Sequence, residues 1–288
     1  MLYVSNDIGR ELYWNALIVC QYKSEINKFL ILKDKFNKNL LESKFDLARD
    51  ILTEIQSDFG YSNWLIENRI ALLEEMEGYE KQKEFVNSIT KNKDIEPIVV
   101  FLTSYFSIRA EKNVSPNKYN SRIEEVKKEF IEGNSEAEYL INLSEYMQFK
   151  LNLNNIEYYK YNVILSYESK MSLIDRYMTL IKICSHISSN TEKKEEISLI
   201  RDSIKLLDNA ISDTILSSLS LRLGCYENVI NDNSKDIIAV IEKYTIGDYK
   251  GCISLSEKLL NQSPFLVDIY DVYVKSLIRC LLQNKSAD

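Results

Sequence analysis

The chain has 288 residues, 45% of them hydrophobic and 27% charged, and its formal net charge is −7. That balance excludes the broadly basic surface a nucleic-acid binder needs for phosphate neutralisation. Only 7 Gly and 3 Pro are present, against usual frequencies of roughly 7% and 5%, so the turn residues of a β-rich or α/β fold are missing and an all-α chain of long helices with short polar turns is predicted.

In chain order, the first apolar run, Ala16 to Cys20, follows Asp7 and Glu11 with no basic segment, and it is too short for a secretory core. No stretch reaches the roughly 18 apolar residues of a membrane span. The five cysteines (Cys20, Cys184, Cys225, Cys252 and Cys280) are scattered in apolar helical contexts without a C-x-x-C pair, the pattern of a reducing compartment. A soluble cytoplasmic protein is expected. Lys23, Lys28, Lys33, Lys35, Lys38 and Lys44 are diluted by Glu25, Asp34 and Glu42, which reads as a solvated helix face.

Ser43-Lys44-Phe45 then marks a turn followed by an aromatic, with the small Ala48 three places on and an aliphatic helix through Ile51-Leu52. After a break near 58–62, Gly78-Tyr79-Glu80 places its aromatic 34 residues after Phe45. A break at 91–97 precedes Pro97, which opens a helix apolar almost all round: Ile98, Val99, Val100, Phe101, Leu102, Tyr105, Phe106 and Ile108. Such a helix has to be covered on more than one side. Ser115-Pro116, a capping hydroxyl before a first-turn proline, opens the next. There Tyr119, Ile123, Val126, Phe130 and Ile131 share one stripe and the charges fall mostly elsewhere, as on a one-sided surface helix.

Ser135-Glu136-Ala137-Glu138 forms a capping box, and further breaks are expected near 152–155, 188–191, 209–213 and 231–234. Between 135 and 232 the periodicity supports more helical hairpins and nothing finer. Thr191 is predicted to cap the run from Glu192, and Ser234 to cap the helix through Tyr244. Gly247-Asp248-Tyr249 then repeats the first motif, with Cys252 as the small residue, Leu259-Leu260 in the helix and Pro264 closing it. In the final helix Val267, Tyr270, Val274, Leu277 and Leu281 form one apolar stripe, joined by Val272, Ile278 and Leu282. With no outer helix to cover it, this face is predicted to be an interface to a second copy or another subunit.

The turn–aromatic–small pattern at a spacing of 34, best matched over 29–90 and 234–282, resembles the tetratricopeptide repeat, a helix–turn–helix unit of that period. Phe45 and Ala48, Tyr249 and Cys252, and Pro264 stand where that family has its aromatic, small and terminating residues. In the middle match Tyr79 fits, but Gln82 replaces the small residue and implies looser helix contact. The resemblance implies one TPR-like α-solenoid domain over 1–288, about eight helical hairpins in a right-handed superhelix. Its concave groove would hold a peptide or protein. Some family members grip a C-terminal carboxylate with a Lys and an Asn one turn apart on one inner helix and an Asn on the next. Lys33, Asn37 and Asn68 have that spacing, although Ile98 and Leu102 stand where a third helix would supply cations, and Lys35 and Asn39 fall where apolar residues are expected.

Catalytic parts are sparse. The lone His186 follows Cys184 by two positions, which face different ways on a helix, and no further metal ligands cluster near it. Its place near a helix end suits a dipole partner. Gly-rich phosphate loops are missing. Glu74-Glu75 and Glu195-Glu196 sit in charged runs, and Tyr158, Tyr159 and Tyr161 read as packing between hairpins. The chain is therefore read as a non-enzymatic scaffold or adaptor for a protein or peptide, or an oligomer through its last helix, without cofactor, metal, nucleic acid or membrane. The alternative is a regulatory or sensor subunit of a bacterial toxin–antitoxin, stress or phage-defence module acting on a separate effector. A peptide-sensing transcription regulator would need a DNA-binding element ahead of the repeats, and a nuclease more than one His.

Overall fold

The computed structural model describes residues 7–92, 95, 97–112, 114–133, 171–190, 194–225, 232–262 and 266–285. Thirteen α-helices and no strand occur among the described residues. They are α1 (Ile8–Gln21), α2 (Lys23–Leu41), α3 (Phe45–Phe59), α4 (Asn63–Met76), α5 (Tyr79–Thr90), α6 (Pro97–Ala110), α7 (Pro116–Gly133), α8 (Leu173–Asn190), α9 (Lys194–Asp208), α10 (Thr214–Arg222), α11 (Asp232–Thr245), α12 (Tyr249–Gln262) and α13 (Val267–Lys285). The breaks expected at 58–62, 91–97, 188–191 and 209–213 each overlap a gap between helices, whereas that at 231–234 falls largely inside α11. The Ser135 capping box, Thr191, Pro264 and the Tyr158–Tyr161 cluster lie outside the described residues.

Two compact units are present, one of residues 1–15 and 45–183, the other of 16–44 and 184–288. In the first, α3 to α7 pack in chain order and α4 also packs on α6. The all-round apolarity of α6 is explained by this placement: Phe101, Leu102, Tyr105, Phe106 and Ile108 are all buried. They join Ile66, Ile70, Val86, Ile89 and Ile123 in one core. Each such side chain contributes roughly 1.5–3 kcal/mol when fully buried. One-sided α7 lays Ile123 into that core, with Tyr119, Val126, Phe130 and Ile131 partly buried beside it. Ser115 caps it, its Oγ accepting from Lys118 N–H at 3.3 Å.

Gln82, which replaces the small residue of the motif, is completely buried in line with Val86 and Ile89 on α5.

In the second unit, three helix ends close the same way. Ser43 N–H bonds Leu40 O (3.0 Å) and Lys44 N–H bonds Asn39 O (2.8 Å). Gly224 and Cys225 do the same to Leu221 and Ser220, and Gly247 and Asp248 to Tyr244 and Lys243. The paired closure satisfies carbonyls that the helix leaves open, and it demands a left-handed residue. That residue is Ser43 (φ 57°), Gly224 (φ 64°) or Gly247 (φ 80°). Ser234 does not cap α11, which has already begun at Asp232.

Contacts between sequence-distant segments also hold each unit. In the first, Asn63 N–H donates to the Asp175 carboxylate. In the second, Asn27 clasps the turn after α9: its Nδ2 donates to Ala210 O at 3.2 Å and its Oδ1 accepts from Ser212 N–H at 2.9 Å. A stack in which each hairpin met only its neighbours would form neither contact.

Candidate functional site

Three groups of residues are candidates for a functional site: the residues of the expected clamp, the exposed faces of α1 and α13, and two polar clusters in the first unit. Lys33 and Asn37 sit one turn apart on α2, half-buried, in the second unit. Asn68, half-buried on α4, belongs to the first. Its amide donates to Trp64 O at 2.8 Å, so part of its bonding capacity is turned onto its own helix.

The apolar stripe of α13 divides. Tyr270 packs, with Val272 and Tyr273, on a core of Val240, Cys252, Leu259, Leu260 and Ile269. Leu277 is half-buried. Val274, Ile278 and Leu281, spaced i, i+4, i+7, stand out at 49%, 50% and 63% exposure. The helix is therefore apolar on two faces, and the unused one is centred on Ile278 rather than on Tyr270.

Sequence reasoning missed a second surface. On α1, Ile8, Leu12, Asn15, Ala16 and Val19 are buried, while Tyr13 and Trp14 are 43% and 55% exposed beside exposed Arg10. Trp, Tyr and Arg are the residue types that most often anchor protein interfaces. The legible signal was the pair of aromatics opposite the stripe Ile8–Leu12–Ala16–Val19.

The first polar cluster ties α5, α6 and α7 together. Lys83 Nζ donates to Ser107 Oγ and Glu111 Oε1, both at 2.6 Å, and lies 5.0 Å above the Tyr79 ring. Arg122 Nη1 meets Glu111 Oε2 at 2.6 Å. Burial pushes Glu111 up, but the bonds from Arg122 and Lys83 together hold it below its ordinary value. Tyr79, expected as a repeat aromatic, thus also caps a cation.

The second cluster is built on the start of α4. Ser62 caps that helix, accepting from Leu65 N–H at 3.1 Å. Asn63 N–H points at both oxygens of Asp175, at 2.9 and 3.1 Å. Ser172 Oγ donates to Asp175 Oδ2 at 2.9 Å and accepts from Asp175 N–H at 3.1 Å. Burial pushes the Asp175 carboxyl up to about 6, against the opposing pull of Asn63 N–H, Ser172, Lys182 and Trp64 N–H. The spacing Ser172-x-x-Asp175 is a capping-box pattern that announces the start of α8. The contact to Asn63 has no local signature. Nearby, burial raises Glu67 while Arg109 and Lys182 lower it.

His186 lies in the last turns of α8, as expected, but its side chain is outside the described residues. Cys184, two residues before it, is fully enclosed, and burial pushes its thiol up to about 12, which makes it inert. Among the described residues no group of three or more potential metal ligands occurs, and no helix is long and apolar enough to cross a membrane.

Against known proteins, the chain is 24% identical over 267 residues to the Detocs histidine-protein kinase DtcA of Enterobacter cloacae (strain JD6301). The match takes in 92% of this chain and 23% of that protein. The chain thus spans about a quarter of the length of the curated relative it matches. No family model matches, and no solved structure does. The expectation of a non-enzymatic chain is corrected here: the similar protein is by name an enzyme, a histidine-protein kinase. The sequence misled because the packing residues that announce a helical fold carry no information about chemistry.

Proposed function

We propose that this chain is the helical recognition region of a histidine-kinase signalling system, binding a protein or peptide and biasing phosphoryl transfer carried elsewhere. The observation that supports this most is the extent of the similarity, which runs over nearly the whole chain yet occupies less than a quarter of a histidine-protein kinase. The architecture is suited to it. Helices present side chains on rigid elements, and apolar side chains stand exposed at Tyr13 and Trp14 on α1 and at Val274, Ile278 and Leu281 on α13.

The tetratricopeptide-like repeat, with Lys33 and Asn37 as contacts in the second unit, Asn68 as a contact in the first, and Tyr270, Val274, Leu277 and Leu281 at an interface, remains part of this proposal. So does its setting in bacterial stress, toxin–antitoxin or phage-defence regulation, in the cytoplasm. The test is physical association. The chain is co-expressed with the kinase-bearing polypeptide encoded with it or beside it, and size-exclusion chromatography with light scattering reads the product. A stoichiometric assembly, or a single polypeptide in which both parts elute as one folded species, is the expected result. Independent elution, with no change in either mass, contradicts the reading.

A further inference from the structure

The exposed side of α13 carries a pattern that is its own complement. The helix packs on α11 and α12. On that side Ile269 and Ser276 are buried, and Tyr270, Val272 and Tyr273 lie against the core. The outward side is one narrow line. Asp271, Val274, Ile278 and Leu281 are all exposed along it, and Lys285 continues it by register. The intervals are three, four, three and four residues. That alternation keeps a seam turned toward a single partner helix, whereas a helix laid on a broad core shows a wider stripe.

Opposite charges bracket the apolar positions. Asp271 and Lys285 each lie seven residues from Ile278, about 10.5 Å along the axis on either side. Turned end for end, the line keeps its apolar centre and exchanges the charges at its ends. A twofold axis at Ile278 therefore sets Ile278 on itself, Val274 against the partner's Leu281, and Asp271 against the partner's Lys285. Each contact away from the axis then occurs twice, as an isologous interface requires. Parallel pairing would set Asp271 on Asp271 and Lys285 on Lys285, and like charges so placed repel. Asp271 already accepts from Lys275 on its own helix, and one carboxylate has capacity for both ammonium groups.

We propose that the chain self-associates through α13, two copies pairing antiparallel about a twofold axis at Ile278. This pairing rests on the reading of α13 as an interface and names its occupant, a second copy of the chain. Val274, Ile278 and Leu281 from each copy form the apolar layers, and the Asp271–Lys285 pairs at both ends select the antiparallel orientation. A seam on one helix falls short of the roughly 20–30 residues a side of a standard interface. The pairing is therefore weak, and assembly responds to the local concentration of the chain.

Sedimentation velocity on the intact chain over a concentration series tests this. The wild type is expected to move from the mass of one chain to that of two as concentration rises. Leu281→Glu, at an exposed side chain, should stay folded by circular dichroism and stay monomeric. Asp271→Lys alone and Lys285→Glu alone should each weaken pairing about tenfold, since each sets two like-charged contacts where two opposite ones stood. The two variants mixed should pair as tightly as the wild type, because the mixture restores opposite charges at both ends. Single variants that pair like the wild type, or a mixture no tighter than its components, overturn the antiparallel pairing. A wild type with the mass of one chain throughout overturns self-association itself. The interface reading then survives if Ile278→Glu abolishes association with the kinase-bearing polypeptide, and falls as well if that association is unchanged.

Discussion

Ser43 and Gly247 hold the same left-handed conformation, φ 57° and 80°, at the ends of two helices closed by the same pair of hydrogen bonds. Each stands two residues before the aromatic of its motif, Phe45 and Tyr249. One site uses glycine, which reaches that conformation freely; the other uses a serine, which carries a steric penalty there.

Ser43→Gly should therefore raise stability, by up to about 1 kcal/mol. Gly247→Ala should lower it by about 1 kcal/mol, although its Cβ would meet nothing within 4 Å. Chemical denaturation of the two variants checks both signs. Equal effects would mean that backbone conformation does not govern these turns.

Much of the helical layout was readable from single residues. Pro97 and Pro116 open helices because a first-turn proline gives up an N–H that has no partner in any case. Gly78 and Gly247 mark turns because they adopt positive φ. The break between α1 and α2 was not readable. It falls at Tyr22, which has φ −107°, ψ 30° and no side-chain cap, so tertiary packing sets it rather than local chemistry. Ser234 misled for the converse reason: a good capping residue sits inside a helix that starts two positions earlier. The Asn27 and Asp175 contacts were beyond reach, because each pairs with a segment more than a hundred residues away.

Asn27→Ala should cost about 2 kcal/mol, since it strands Ala210 O and Ser212 N–H at once. Asn27→Asp keeps the acceptor for Ser212 N–H but sets a carboxylate oxygen against Ala210 O, so it should cost at least as much as Asn27→Ala. Thermal unfolding of both variants tests it; an Asp variant as stable as the wild type would show that the bond to Ala210 O contributes nothing.

Glu111→Gln should destabilise the first unit by about 2 kcal/mol at neutral pH, because it leaves the Lys83 and Arg122 charges facing each other. The folded carboxylate lies below its ordinary value of 4.5. Its contribution is therefore complete above about pH 4.5 and is lost as acid protonates the folded form. Wild type and Glu111→Gln should converge in stability below that pH. A gap that is constant from pH 7 to 3 would mean that the ion pairs are not its cause.

On α13, Leu281→Glu should change the chain's own stability by less than about 0.5 kcal/mol, because Leu281 is 63% exposed. Ile269→Ala, at 1% exposure on the opposite face, should cost about 2–4 kcal/mol. If Leu281→Glu proves as damaging as Ile269→Ala in dilute solution, that face is covered by the chain itself and is not a recognition surface.

A regulatory role requires that this chain alter phosphoryl transfer to histidine. The decisive measurement is the rate of acid-labile phosphohistidine formation from labelled ATP in the kinase-bearing polypeptide encoded with or beside the chain. It is read with the wild-type chain and with a Tyr13→Ala, Trp14→Ala, Ile278→Glu variant shown to be folded by circular dichroism. The wild-type chain is expected to change the rate severalfold, and the variant to lose most of that effect. A rate identical with the chain, without it and with the variant would contradict a regulatory role for this helical region.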